Sequence, residues 1–206
     1  MFTFNAPCCL IIAQLTHLYH FQEDNMREYL LLLPIIFIFH DMEEIAGFIW
    51  FFKRNPYLFE RFPKTMNPYR GLTHEGFALA VYEEFIPFFG ISLLAYYFPN
   101  DILYGLWFGI FMALAGHFVI HIGHTVYIRK YIPCFITSAI CLPVSILILV
   151  KCVPLMTFNV VTIISIAASV VLMNVNLKLC HRLFRFINKK IKADPAQMRP
   201  LPETAD

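Results

Sequence analysis

Five long apolar runs divide the chain, at about Tyr29–Phe52, Thr73–Tyr97, Asp101–Ile128, Tyr131–Val150 and Leu155–Leu177. About 20 apolar residues cross a bilayer as a helix, so each run predicts one span. The breaks between them carry ordinary helix-stop and helix-start chemistry. Lys53-Arg54 closes the first run, and Pro56, Pro63 and Pro68 punctuate the loop that follows. Thr73 is placed to cap the second run, with Glu75 in its first turn. Pro99-Asn100-Asp101 predicts a tight turn with Asp101 as the next cap. Arg129-Lys130 ends the third run, and Lys151 with Pro154 ends the fourth. The expected architecture is all-α: a polytopic transmembrane helix bundle of about five spans.

The pattern also sets the domain expectation. Residues 1–24 begin MFTFNAPCCLIIAQL, too short an apolar stretch for a span and without a positive region or small-residue cleavage site. They predict a peripheral or interfacial lead-in. Residues 25–178 form the bundle, and 179–206 form a basic tail. The first, third and fifth connections, namely residues 53–72, Arg129-Lys130 and the chain from Lys178 onward, hold 14 of the 16 Lys and Arg; Arg27 and Lys151 are the exceptions. The positive-inside bias places that side, and the C-terminus, in the cytoplasm, as expected of a plasma-membrane protein. Trp50 and Trp107, near span ends, are expected to be interfacial anchors.

Composition agrees with this picture. The chain has 206 residues, of which 59% are hydrophobic and 15% charged, with mean hydropathy +0.63. Soluble domains are about 45–50% apolar and about 25% charged. The six cysteines form no C-x-x-C pair and lie mostly in apolar runs, so they read as small buried residues. No Gly-rich phosphate loop, nucleophile elbow or nucleic-acid motif is present.

The ionisable residues inside the spans change the picture. Span 1 carries His40, Asp41, Glu43 and Glu44; span 2 carries Glu83 and Glu84; span 3 carries His117, His121 and His124; spans 4 and 5 carry none within the runs. One central Asp costs roughly 2.5–3.5 kcal/mol on insertion scales, so such groups face a protein interior, a partner, a metal or water. His40, Glu43 and Glu44 share a helical face at i, i+3 and i+4, with Asp41 about 100° round from His40. His117, His121 and His124 form a stripe, with Gly109, Gly116 and Gly123 beside it as an expected packing face. A small-residue stripe on span 2 runs through Glu83, and Glu84 is its neighbour. Counted from the basic ends, these groups lie at a shared depth of roughly 8–20 Å at 1.5 Å per residue.

Imidazole and carboxylate at one depth make metal-ligand chemistry. The candidate ligands are His40, Glu43, Glu44, Glu83, Glu84, His117, His121 and His124, and a divalent zinc, iron or manganese ion suits them. The inventory is large enough for two ions. Glu43 and Glu84 are candidate catalytic bases. His74 and His181, nearer the surface, read as ordinary hydrogen-bonding histidines.

His40-Asp41-Met42-Glu43-Glu44 resembles the motif that names the HXXEE family of membrane proteins, over roughly residues 29–150. The resemblance implies a name and no substrate, since that family has no assigned activity. Two functions follow from the residues themselves. One is a metal-dependent membrane enzyme, a hydrolase or oxidase acting on a lipid or amphipathic substrate. The other is a proton- or ion-coupled transporter or channel that uses the same cluster without metal. A non-catalytic metal sensor or assembly factor is a third class. A homo-oligomer would suit the transporter; no reading involves nucleic acid.

Overall fold

The computed structural model describes residues 25–192 and is helical throughout, with no strand among the described residues. Five long helices form the bundle: α1 (Leu32–Arg54), α4 (His74–Tyr97), α5 (Asp101–Ile128), α6 (Phe135–Cys152) and α7 (Val160–Lys192). Two single turns, α2 (Leu58–Arg61) and α3 (Pro63–Met66), fold the loop after α1. Residues 1–24 and 193–206 lie outside the described residues, and with them the lead-in, Cys8 and Cys9, and the end of the tail.

Among the described residues, four helical segments are long and apolar enough to cross a membrane: α4, α5, Phe135–Leu155 and Val160–Ile187. The first helix has 23 residues, about 34 Å at 1.5 Å per residue. That length exceeds a hydrocarbon core of about 30 Å. Its three carboxylates, Asp41, Glu43 and Glu44, keep it out of the apolar set, and all three lie in the middle of the helix.

Helix ends follow local chemistry. Thr73 caps α4, its side chain accepting from Gly76 N at 3.1 Å. Asn100, rather than Asp101, caps α5 by accepting from Leu103 N at 3.0 Å. Asp101 instead accepts from Asn159 Nδ2, tying the start of α5 to the start of α7. Asn159 also accepts from Thr162 N at 3.0 Å, so α7 begins at this cap, later than the apolar run suggests. It then continues unbroken past Leu177 to Lys192. Pro87 and Pro143 lie inside uninterrupted helices, and Pro34 occupies the first turn of α1, where no N–H is required.

The central helix is α5, which packs against α4, α6 and α7; α1 packs against α4 and α6 and meets α5 through side chains. Close approach of α5 to α7 falls at Gly105 and Gly109. A Cβ on Gly109 would lie 2.0 Å from Ser169 Oγ and 2.6 Å from Ile166 O. Gly116 and Gly123 have open space instead, so the packing face is the outer half of the glycine series, away from the histidines. Gly109→Ala is expected to push α7 outward and destabilise the bundle by about 1–3 kcal/mol, the usual range for overpacking. Gly116→Ala, by contrast, leaves stability nearly unchanged. Unfolding titrations of both variants in detergent check this.

Trp107 departs from its expected interfacial place. It is fully buried, packs edge-on against Phe111 and donates Nε1–H to Leu30 O at 2.9 Å. Trp50 is exposed, with the Arg54 guanidinium 4.4 Å from its ring centroid, as an interfacial residue would be.

Candidate metal centre

The site forms where α1 faces α5, with α6 closing one side. His40 and Glu44 are one turn apart on α1 and point the same way. His117 and His121 are one turn apart on α5 and face them. Ligand atoms of these four residues all lie within 4.8 Å of one another. His121 is the centre: its Nε2 is 2.6 Å from His117 Nε2 and 3.0 Å from Glu44 Oε1. His40 Nε2 is 3.6 Å from the same carboxylate oxygen. Burial is nearly complete for three of the four: His40 is 0% exposed, His121 2% and Glu44 6%, while His117 is half-buried.

Such a group is costly in apolar surroundings. An ion taken out of water costs several kcal/mol unless its partners restore the lost solvation. Here His40 Nε2 and Glu44 Oε1 have no hydrogen bond, although both are buried and each has a close neighbour. The 3.0 Å approach of His121 to Glu44 is therefore a contact without hydrogen-bond geometry. The atoms face a common space rather than one another. Metal bonds of about 2.0–2.1 Å in a tetrahedron would place ligand atoms about 3.3 Å apart. The observed 2.6, 3.0 and 3.6 Å bracket that spacing, so these four residues could hold a metal ion.

The back of the site strengthens this fit. His40 Nδ1 is 3.0 Å from Thr137 Oγ1, and His121 Nδ1 is 3.2 Å from Cys134 Sγ. Thr137 Oγ1 donates to Glu43 Oε2 at 2.6 Å. A hydroxyl has one proton, so Thr137 accepts from His40, and His40 carries its proton on Nδ1. In the neutral ring Nε2 then presents a lone pair to the cluster. An imidazole oriented through its remote nitrogen is the usual arrangement of a metal ligand.

Glu43 is thereby separated from the other acidic residues of α1. Its Oε2 also accepts from Thr137 N at 2.8 Å, and its Oε1 accepts from the Tyr131 hydroxyl at 2.6 Å. Thr137 lies in the first turn of α6, whose cap residue Cys134 makes no side-chain cap. Glu43 thus satisfies a helix N-terminus from a neighbouring helix. Burial and the bond to Glu43 both raise the Tyr131 hydroxyl above its ordinary pKa, which keeps it a donor. Cys134 itself has φ 126°, a strained backbone for a non-glycine residue. That bend brings its sulfur to His121. Gly47 lets the bend approach α1, since a Cβ there would lie 2.3 Å from Pro133 Cβ.

The remaining sequence candidates lie around the cluster. Asp41, 4% exposed, and Glu84 line a cavity of about 340 Å³ together with Glu44, His117, His121 and His124. Glu84 also lines a second cavity, of about 260 Å³, with His117. Glu83, its neighbour, lines neither of these two cavities. His124 has its ring centroid 6.3 Å from His121 and is outside the four-residue group. Thr137, Tyr131 and Cys134 carry no charge in an apolar stretch, so a search for ionisable residues within spans passes over them. Their one signal is position, at the head of α6 where a helix needs partners.

No curated protein and no solved structure matches the chain. A family model does, over residues 31–148, more than half of the sequence. The matched segment contains α1, α4, α5 and most of α6, hence every residue of the cluster and its Thr137 support; α7 lies beyond it. With His40, Glu43 and Glu44 at the motif positions and all three engaged at one buried site, the chain belongs to the family described as proteins of unknown function with an HXXEE motif.

Proposed function

We propose that this protein is a metal-dependent membrane hydrolase whose ion is held by His40, Glu44, His117 and His121. The observation that carries the reading is the convergence of three Nε2 atoms and one carboxylate oxygen, nearly dry, with two rings held from behind. Three nitrogens and one oxygen suit zinc best; iron or manganese also accept this set, and iron would turn the chemistry to oxidation. Glu43, Glu83 and His124, although of suitable types, serve at most as supporting or second-ion ligands. A second ion would draw on Asp41, Glu84 and His124 around the same cavity.

With four residues as ligands, a bound metal would need a further coordination position on the cavity side, and there it would supply a water of lowered pKa and a Lewis acid for the scissile group. The chain supplies the rest. Glu84 faces the cavity without belonging to the four-residue group, and so is placed to take the water's proton and pass it to the leaving group. Thr137 and Cys134 hold His40 and His121 in register. The apolar walls, including Leu72, Phe77 and Val81, limit bulk water and favour an amphipathic substrate. The concentration of Lys and Arg at one end supports a cytoplasmic C-terminus.

The test is hydrolysis of long-chain p-nitrophenyl esters and phosphodiesters in mixed micelles by the purified full chain. Activity should disappear on chelation and return with zinc. Glu84→Gln should abolish turnover while retaining bound metal. Activity indifferent to chelation would overturn the reading. Thr137→Val provides a subtler check. It removes the hydroxyl between Glu43 and His40, and losing such an orienting partner typically lowers metal affinity 10–100-fold, so about that loss is expected in competition with a chelating dye.

One observation favours a second reading. Tyr131, Glu43, Thr137 and His40 form a continuous hydrogen-bonded chain leading toward Glu44, His121 and His117. Such chains also carry protons. Proton flux in liposomes that survives metal removal and fails in Glu43→Gln would support this relay in place of the hydrolase.

A further inference from the structure

Three cavities adjoin in sequence along α7. At the basic end an open groove of about 600 Å³ is lined by Lys64, Lys178, Arg182 and Arg185 with Pro63 and Pro68. Lys64 and Pro68 also line the 340 Å³ His/Glu cavity. Beyond it, Glu84, His117, Ile120 and Leu177 are shared with the 260 Å³ cleft. That cleft is mostly apolar, with walls of Phe37, Phe88, Leu114, Val170 and Met173. One helix contributes to all three, from Val170 through Leu177 to Arg185, a rise of roughly 22 Å at 1.5 Å per residue.

The order is charged, polar, apolar. Four cations make the groove a site for an acidic group. The carboxylates Asp41, Glu44 and Glu84 make the middle cavity a poor place for an anion, so an acidic head stays at the mouth. The cleft offers mainly hydrocarbon walls, with Glu84, His117 and Asn174 as its polar lining. A free inorganic anion uses only the first of these environments; an amphiphile uses all three.

We propose that the substrate is an anionic amphiphile, with its acidic headgroup against Lys64, Lys178, Arg182 and Arg185 and its hydrocarbon chain in the cleft of Phe37, Phe88 and Met173. The polar linkage between them then lies beside the histidine cluster. This last placement rests on the hydrolase reading; binding of the head and chain does not. Specificity comes from the groove, which is on the loop after α1 and on α7, and chemistry comes from α1 and α5. The groove cations therefore serve substrate selection, in addition to any part in setting topology.

The test uses the full chain in a neutral mild detergent, with bound metal measured in every sample. The probes are dodecyl phosphate, dodecylphosphocholine, which has the same chain with a zwitterionic head, and inorganic phosphate. Dodecyl phosphate should bind at least about tenfold tighter than either of the others, the scale of one charge-assisted hydrogen bond. The Lys64→Gln/Arg182→Gln double variant should lose about tenfold or more of that affinity with its metal content unchanged. Met173→Trp and, separately, Val170→Phe should weaken dodecyl phosphate by filling the cleft. Equal affinity for dodecyl phosphate and dodecylphosphocholine would overturn the proposal. So would inorganic phosphate binding as tightly as dodecyl phosphate, or a double variant that binds normally. Dodecyl phosphate bound by protein that takes up no metal under any loading would overturn the hydrolase reading and leave this one standing.

Discussion

His121→Ala should reduce bound metal from one equivalent to almost none, whereas His124→Ala, three residues along the same helix, should leave it unchanged. The contrast rests on height rather than direction. Both histidines project from the same side of α5. Only His121 reaches His117 Nε2 at 2.6 Å and Glu44 Oε1 at 3.0 Å, and its other nitrogen meets Cys134 Sγ at 3.2 Å. Removing it takes away the ligand that touches two others. It also leaves Glu44, 6% exposed, facing an emptied apolar space. Breaking a buried pair from one side costs about 3–5 kcal/mol when the partner stays charged, so some loss of stability accompanies the loss of metal. Elemental analysis of the two variants, each folded by circular dichroism and gel filtration, separates a ligand from a neighbour. Equal metal in both would remove His121 from the site.

The largest effect on stability alone is expected at Trp107. Its indole is fully buried in the main apolar cluster and ties the central helix to the segment just before α1. Trp107→Ala should cost about 3–5 kcal/mol, the range for deleting a buried aromatic ring. Trp107→Phe keeps most of the packing but leaves Leu30 O without its donor, for about 1–3 kcal/mol. Neither change touches the histidines, so metal content should hold while the unfolding midpoint falls. Denaturant titration of both variants against the parent chain measures the two parts. A Phe variant as unstable as the Ala variant would assign the effect to the hydrogen bond rather than to packing.

Much of this architecture is legible in the chain, and the places where it is not have physical reasons. Apolar length and terminal charge mark four of the long helices, and for α1 the same reasoning works only because its carboxylates are read as a site. Thr73 is legible as a cap because its side chain bonds within its own turn. Asp101 misleads because Asn100 beside it can do the same work, freeing Asp101 for Asn159, a partner distant in sequence. Trp107 misleads because a ring near a span end looks the same in sequence whether its N–H meets water or a buried carbonyl.

The site shows the same division. The spacing of His40, Glu43 and Glu44 gives a common face, but Glu43 and Glu44 fall on opposite sides of His40, about 100° apart at 3.6 residues per turn. Sequence cannot say which neighbouring helix stands on which side. In the fold α5 stands beside Glu44 and α6 beside Glu43, so one carboxylate joins the histidines and the other caps a helix. The Glu83–Glu84 pair has the same ambiguity, and there Glu84 faces the cavity. Thr137 is legible to neither test. It has no charge and its partners, His40 and Glu43, are on another helix. Span 4 is therefore a wall of the site, although it carries no ionisable residue within its run.

The proposed hydrolase stands or falls on an ion held by His40, Glu44, His117 and His121. The most direct measurement is the metal content of the full chain purified in mild detergent without added chelator, before and after reconstitution with zinc, iron and manganese. One tightly held divalent ion per chain is expected, removed by Glu44→Ala. A parent protein that remains folded yet holds no stoichiometric metal after any of these loadings would contradict it.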